Sequence, residues 1–253
     1  MRLMTFNLRF ATPTDGPNEW QFRKELVAEV ILDHLPDLLG TQEGTVPQLL
    51  YLEKHLTGYR PLTAHRRVDP TCQYPTIFYR ADRFYVQESS EFWLSETPQV
   101  HRSQSWGSAF PRLVTYGLFR ERDRPTWFYF INTHLDHVSE AARREGARMI
   151  RDFFFPLNLP MILVGDFNEP PEDAVYRLFI RAGSPFQDTF RAVQPPVPEG
   201  PTQHGFDGRP RGSRIDWILA TPPFRVQRVA IVTDNRNGRY PSDHFPYEAE
   251  VDY

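Results

Sequence analysis

Cysteine is almost absent. Cys72 is the only one in 253 residues, which excludes an internal disulfide and a thiolate zinc site. Lysine is scarce too: Lys24 and Lys54 are the only two, and arginine supplies the remaining fixed positive charge. Genomic composition or thermal adaptation explains this preference, although arginine forks also suit bidentate phosphate recognition. A basic excess is missing, since the formal net charge is -3. That weakens any reading in which the main partner is a nucleic-acid backbone, where neutralised phosphates supply most of the affinity. No run approaches the roughly 18 to 20 apolar residues of a membrane span, and the opening Met1 to Phe10 is too short and polar for a secretory signal. The expectation is a cytoplasmic monomer without a membrane partner.

What is present belongs to a folded chain. Hydrophobic residues make up 40% and aromatics 14%, enough to offset chain entropy and exclude wholesale disorder. A chain of this length buries roughly three quarters of its unfolded surface and needs no staple to fold. No composition break marks a linker and no repeat is visible, so residues 1–253 are expected to form a single catalytic domain.

Alternation at the start predicts a strand, with Leu3, Thr5, Asn7 and Arg9 on one side and Met4, Phe6, Leu8 and Phe10 on the other. A helix is predicted over Trp20 to His34, with Phe22, Leu26 and Val30 on its apolar stripe, ended by Pro36. Asp37 to Glu43 reads as a buried strand, and a second helix is placed over Val46 to Leu56. Further strands are predicted at Pro75 to Tyr79, Phe84 to Glu91, Arg112 to Phe119 and Trp127 to Thr133. A helix over Ser139 to Phe155 follows, with Ala142, Met149, Ile150 and Phe153 at helical spacing. After it come a strand at Met161 to Asp166, a short helix near Ala174 to Ala182, and strands at Arg214 to Ala220, Phe224 to Thr233 and Phe245 to Val251.

Polar residues close these apolar segments: Asn7, Glu43, His134, Asp166 with Asn168, Asp216, and Asp243 with His244. A carboxylate near a core costs several kcal/mol unless it is paired or bound to a cation. Several in one chain suggest strand ends converging on a charged site. Glu43, Asp166, Asp216, Asp243 and Asn7 are hard oxygen donors, suited to Mg²⁺ or Mn²⁺. His134 and His244 can move protons near neutral pH. Together they make a site for in-line attack of water on a phosphoester.

The segments Thr5-Phe6-Asn7, Gln42-Glu43, Asn132-Thr133-His134, Gly165-Asp166-Phe167-Asn168, Arg214-Ile215-Asp216-Trp217-Ile218 and Ser242-Asp243-His244 resemble, in order, the endonuclease/exonuclease/phosphatase superfamily of DNase-I-like metal-dependent phosphoesterases. The texture is nearest to a bacterial branch of metal-dependent hydrolases that includes sugar-phosphate phosphatases. The resemblance implies a four-layer α/β sandwich of two mostly antiparallel sheets packed face to face and flanked by helices. It also implies roles. Glu43 resembles the principal metal ligand, with Asn7 beside it, and Asp243 a metal ligand or a neighbouring acid. Asp166 matches the residue that orients or deprotonates the attacking water, and Asn168 the amide that holds phosphoryl oxygens. His134 matches a residue that stabilises pentavalent phosphorus and helps protonate the leaving group. Asp216 and His244 resemble a carboxylate–imidazole pair; either Asp166 or His244 is the general base.

Two other signatures fail. A metallo-β-lactamase-like zinc motif needs a histidine where Asn132 stands, and calcineurin-like phosphatases need a Gly-Asn-His segment that is absent. Asp136 and His137 read as supports of the site or as structural residues rather than catalytic ones, His34, His55, His65 and His101 as surface residues, and His204 as a weak substrate contact. Long loops at Thr12 to Trp20, Pro61 to Tyr74, Ser95 to Pro111 and Gln194 to Ser213 are expected to wall the cleft. Arg66, Arg67, Arg102, Arg112, Arg209 and Arg211 are their candidates for holding phosphate. Three functions follow in descending order: a phosphatase of small phosphorylated metabolites such as sugar phosphates, a nuclease acting on DNA or RNA, and a catalytically silent binding module.

Overall fold

The computed structural model of the protein describes residues 1–63, 66–181 and 183–253. Its strands form two six-stranded sheets. One runs β11 (Arg225–Ile231), β12 (Tyr247–Asp252), β1 (Arg2–Asn7), β2 (Leu38–Gly44), β4 (Tyr74–Arg80), β3 (Tyr59–Leu62). The other runs β5 (Phe84–Trp93), β6 (Leu113–Glu121), β7 (Trp127–His134), β8 (Met161–Asp166), β10 (Asp216–Ala220), β9 (Gln187–Asp188). Neighbours are antiparallel except for one pair in each sheet, β1 with β2 and β7 with β8.

Alternation along the strands sorts side chains into three apolar layers. Leu3, Leu38, Ile77 and Val251 of the first sheet meet Phe128, Phe130, Ile162, Val164 and Ile218 of the second. On the outer face of the first sheet, Met4, Phe6, Leu39 and Phe78 pack with Val27 and Ile31 of α1 (Trp20–His34) and Leu52 of α2 (Val46–His55). On the outer face of the second, Ile131, Leu163 and Trp217 pack with Ile150 and Phe154 of α3 (Glu140–Phe154) and Phe179 of α4 (Ala174–Phe179). A four-residue helix α5 (Thr189–Ala192) follows β9. This is the four-layer sandwich expected from the family resemblance.

The helix boundaries follow from local chemistry. In α2 the Thr45 and Gln48 side chains form a capping box, and in α3 the Ser139 hydroxyl accepts from the Ala142 N–H at 3.2 Å. Two expected stripes hold in part: Val30, Ala142 and Ile150 are buried as expected, but each stripe included one outward residue. Phe22 is 56% exposed and Phe153 44%; Trp20, Arg23, Val27 and Ile31 complete the inner face of α1, and Gly146, Ala147 and Phe154 that of α3. Two strands escaped the reading: β9 has two residues, and β3 carries Pro61, which an edge strand tolerates because it needs no further ladder bond. The predicted end of the fourth helix at Ala182 and the surface placement of His65 lie outside the described residues. Among the described residues, no helix is long and apolar enough to cross a membrane.

Candidate active site

The rows that line the seam between the sheets change character at one end. Leu3 gives way to Thr5 and Asn7; Phe128 and Phe130 to Asn132 and His134; Ile162 and Val164 to Asp166; Ala220 and Ile218 to Asp216. All six of these polar positions are buried, like the apolar ones they follow. Period-two alternation keeps each row on one face, so polar residues that close the rows meet at one end of the sandwich. The register completes this: His134 pairs with Asp166, and Asp166 with Asp216. Gly165 permits the first pairing, because a Cβ there would lie 2.2 Å from the Thr133 carbonyl oxygen.

Buried amides tie the sheets together behind the site. Asn132 donates to the Thr41 and Thr76 carbonyls at 2.9 and 3.1 Å, and Gln42 donates to the Asn132 side-chain oxygen at 2.8 Å. Asn7 joins the carboxylates, its Nδ2 donating to Glu43 at 3.2 Å and to Asp166 at 2.9 Å, while its Oδ1 accepts from the Arg9 N–H. Arg9, Glu43 and Asn168 all have positive φ, at 52°, 60° and 50°. Such backbone is costly for residues other than glycine and gathers at functional sites.

Each titratable group is shifted by its surroundings. His244 Nδ1 lies 2.9 Å from Asp216 Oδ2 and 3.9 Å from Asp166. Burial opposes charging this ring, but Asp216 and then Asp166 outweigh it and hold the pKa well above the usual histidine value. Burial, and next the charge of Asp216, raise Asp166. His134 moves the other way: burial first, then the Arg112 guanidinium 2.9 Å from its Nδ1, keep it neutral. His134 Nε2 contacts the Asn168 amide at 2.9 Å. Of the eight residues singled out from the sequence, Glu43, His134, Asp166, Asn168, Asp243 and His244 line a cleft of about 320 Å³, and Asn7 and Asp216 stand directly behind it, bonded to Asp166 and His244.

A model of the endonuclease/exonuclease/phosphatase family matches residues 4–244. The chain belongs to this family. No curated protein sequence matches it. Among solved structures it is similar over its whole length to the mannosyl-6-phosphatase of Bacteroides thetaiotaomicron VPI-5482, with 32% identity, full coverage of both chains and a TM-score of 0.92. A functionally unknown conserved protein of Enterococcus faecalis V583 is 35% identical, with 100% of this chain and 99% of that one covered and a TM-score of 0.90. TDP2 from D. rerio, solved with a single-strand DNA product, shares the fold at 16% identity and a TM-score of 0.77, with 100% and 99% covered. As an endonuclease/exonuclease/phosphatase family member the chain is a phosphoester hydrolase.

Family enzymes generally depend on a divalent cation, and the donor set here fits one. Glu43, Asp166, Asp216 and Asp243 bring four carboxylates to one end of the seam, and Asp216 Oδ1 is buried with no hydrogen-bond partner among the described residues. Asp166, Asp216 and His244 each offer a ligand atom within 4.8 Å of the others. Oxygen donors of this kind suit hard cations.

Several cleft residues were not legible in the sequence. Arg9, Phe10, Gln73, Phe110 and Gln203 line it, as does His137, expected only as a support of the site or a structural residue. Of the six loop arginines, Arg112 alone lines this cleft; Arg66 is spent on Glu91, Thr76 and Thr115, and Arg102 on Asp69. His204 is fully buried, stacked on Phe245 at 3.9 Å and not among the residues that line the cleft, and His34 is engaged with Glu248 and Asp234 rather than free at the surface. Arg23, 3% exposed, donates to the carbonyls of Leu8, Arg9, Asn18 and Pro241. It thereby ties the exit of β1 to the turn that carries Asp243 and His244. The sequence signal for Arg23 was only a charge on the buried face of a helix.

Proposed function

We propose that this protein is a Mg²⁺- or Mn²⁺-dependent phosphatase of small phosphorylated metabolites, sugar phosphates foremost. The observation that carries the reading is the shape and lining of the cleft. At about 320 Å³ it falls in the range of small-molecule sites, and among the described residues Arg9 and Arg112 are the only arginines that line it. A nucleic-acid groove needs a longer track of cations to neutralise successive phosphates. The whole-length similarity to a mannosyl-6-phosphatase supports the same class.

A divalent cation held by Glu43, with Asn7 and Asp243 beside it, would supply charge for the phosphoryl oxygens and the departing oxygen. Asp166 holds the attacking water and takes its proton, a role its raised affinity for protons suits. His244, oriented by Asp216, sets a positive charge beside the developing negative charge on phosphorus. Asn168 and His134 hold the equatorial oxygens. The water oxygen bonds to phosphorus, the bond to the sugar oxygen breaks, and that oxygen takes its proton from water in the cleft.

The test is turnover with Mg²⁺ and Mn²⁺ on sugar phosphates and nucleotides, beside labelled DNA and RNA, with EDTA and Asp166→Asn controls. Release of inorganic phosphate from small monoesters alone is the expected result. Strand cleavage at low enzyme concentration would replace the phosphatase reading with a nuclease.

A further inference from the structure

One wall of the cleft is aromatic. Phe110 stacks on His137 with ring centroids 5.7 Å apart and 26° between planes, and the Arg112 guanidinium lies 5.6 Å from the Phe110 centroid. His137 is fixed in turn by Arg112, whose Nη2 is 3.1 Å from its Nδ1. Although one side of the phenyl ring is occupied in this way, Phe110 remains 44% exposed. Unlike the other exposed large apolar side chains among the described residues, Phe110 is exposed within the lining of the cleft itself, beside His134 and Asn168.

The loop that carries Phe110 is rigidly tied down. Asp136 Oδ2 accepts from the Ser108 hydroxyl at 3.1 Å and from the Ala109 N–H at 2.9 Å. Its Oδ1 accepts from the Val138 and Ser139 N–H groups at 3.0 and 2.8 Å. The Ser139 hydroxyl donates to the Trp106 carbonyl at 2.6 Å. One buried carboxylate thus fixes the loop before β6 to the turn after β7, and holds the phenyl ring at a set distance from His134.

We propose that Phe110, backed by His137, is the platform on which the ring of the substrate sits while its phosphate occupies the site, and that the ring is a pyranose. This rests on the phosphatase reading and names what lies beyond the phosphate. A pyranose presents an apolar C–H face and a rim of hydroxyls. The open face of Phe110 matches the first, and the neutral amides of Gln73 and Gln203, which also line the cleft, match the second. Selectivity for a cyclic sugar over an acyclic phosphate follows from the platform, because only a ring covers the phenyl face.

Two measurements test it. The first is the ratio of kcat/KM for a hexose 6-phosphate to that for glycerol 3-phosphate. Phe110→Ala is expected to lower this ratio about tenfold, mostly through KM, and Phe110→Trp to keep it, since aromatic stacking is worth about a factor of ten. Equal losses on both substrates would overturn the platform. The second is saturation-transfer NMR on the inactive Asp166→Asn protein with hexose 6-phosphate or a nucleoside monophosphate. Saturation of the hexose ring C–H protons, lost in Asp166→Asn combined with Phe110→Ala, is expected. Saturation confined to base protons, or to no ring at all, overturns the proposal. Because this second reading needs no turnover, a failure of the phosphatase assignment and a failure of the platform give different results.

Discussion

Arg112 approaches His134 Nδ1 to 2.9 Å, and a guanidinium can only donate. That nitrogen therefore carries no proton, and protonating the ring would set donor against donor. In the mechanism proposed above, the one N–H of a neutral ring then sits at Nε2, so His134 holds a phosphoryl oxygen and does not protonate the leaving group. His134→Gln, which keeps a side-chain N–H, should lower kcat by the same factor on an aryl phosphate and on an alkyl phosphate, about 10²-fold. A loss concentrated on the alkyl ester, whose leaving group needs a proton, would contradict this.

Asp166 and Asp216 face each other across β8 and β10, and each is 1% exposed. After burial, the negative charge of Asp216 is what raises Asp166 most. Asp216→Asn removes that charge, so the Asp166 carboxylate should form at lower pH and the acid limb of kcat/KM should move to lower pH. The His244 ring loses its charged partner in the same variant, so the plateau should fall by about 10² to 10⁴. A limb that stayed in place or moved to higher pH would remove Asp166 from the role of base.

The gathered carboxylates predict how the cation acts on stability. EDTA should abolish turnover while the far-ultraviolet circular dichroism stays unchanged, since three apolar layers hold the sheets. Mg²⁺ at a hundred times its Kd should then stabilise the protein by about 2.7 kcal/mol, read as a rise in Tm. Glu43→Gln should lose most of that rise. An unchanged response in Glu43→Gln would move the cation elsewhere.

Far from the cleft, His34 lies 2.8 Å from Glu248 and 3.1 Å from Asp234. Burial opposes its charge, but the hydrogen bonds to Glu248 and then Asp234 prevail and raise its pKa. A raised folded value means that the stabilisation is complete below the unfolded value near 6.5 and disappears as pH climbs through the folded one. Urea unfolding of the parent and of His34→Gln should differ at mildly acidic pH, by less than about 1 kcal/mol because solvent screens the pair, and converge at alkaline pH. A gap that widened with rising pH would be the wrong sign.

Much of the fold was legible because its signals were local. The strand Met161 to Asp166 and the helix Trp20 to His34 occur with the boundaries expected, the helix stopped by Leu35 in a left-handed conformation just before Pro36. The polar residues of the site were legible as interruptions of apolar rows. What the sequence hid depends on register. Val114 pairs with Thr133, and only that pairing brings Arg112 to His134 and distinguishes it from five other loop arginines. His137 looked like a support or a structural residue because nothing local says that the turn after β7 bends toward Phe110. Phe22 looked internal because apolar spacing alone does not tell which side of a helix meets the sheet.

Asn7, Glu43, Asp243 and His244 come from one sheet or the turns beside it, and His134, Asp166, Asn168 and Asp216 from the other. Neither sheet owns the catalytic centre. Its geometry is therefore a vernier on how the two sheets are seated: a slip of an ångström along the seam, harmless to either sheet alone, pulls water, base and cation out of line. Turnover should consequently fade before the fold does, as denaturant first loosens the seam that Asn132 and Gln42 pin.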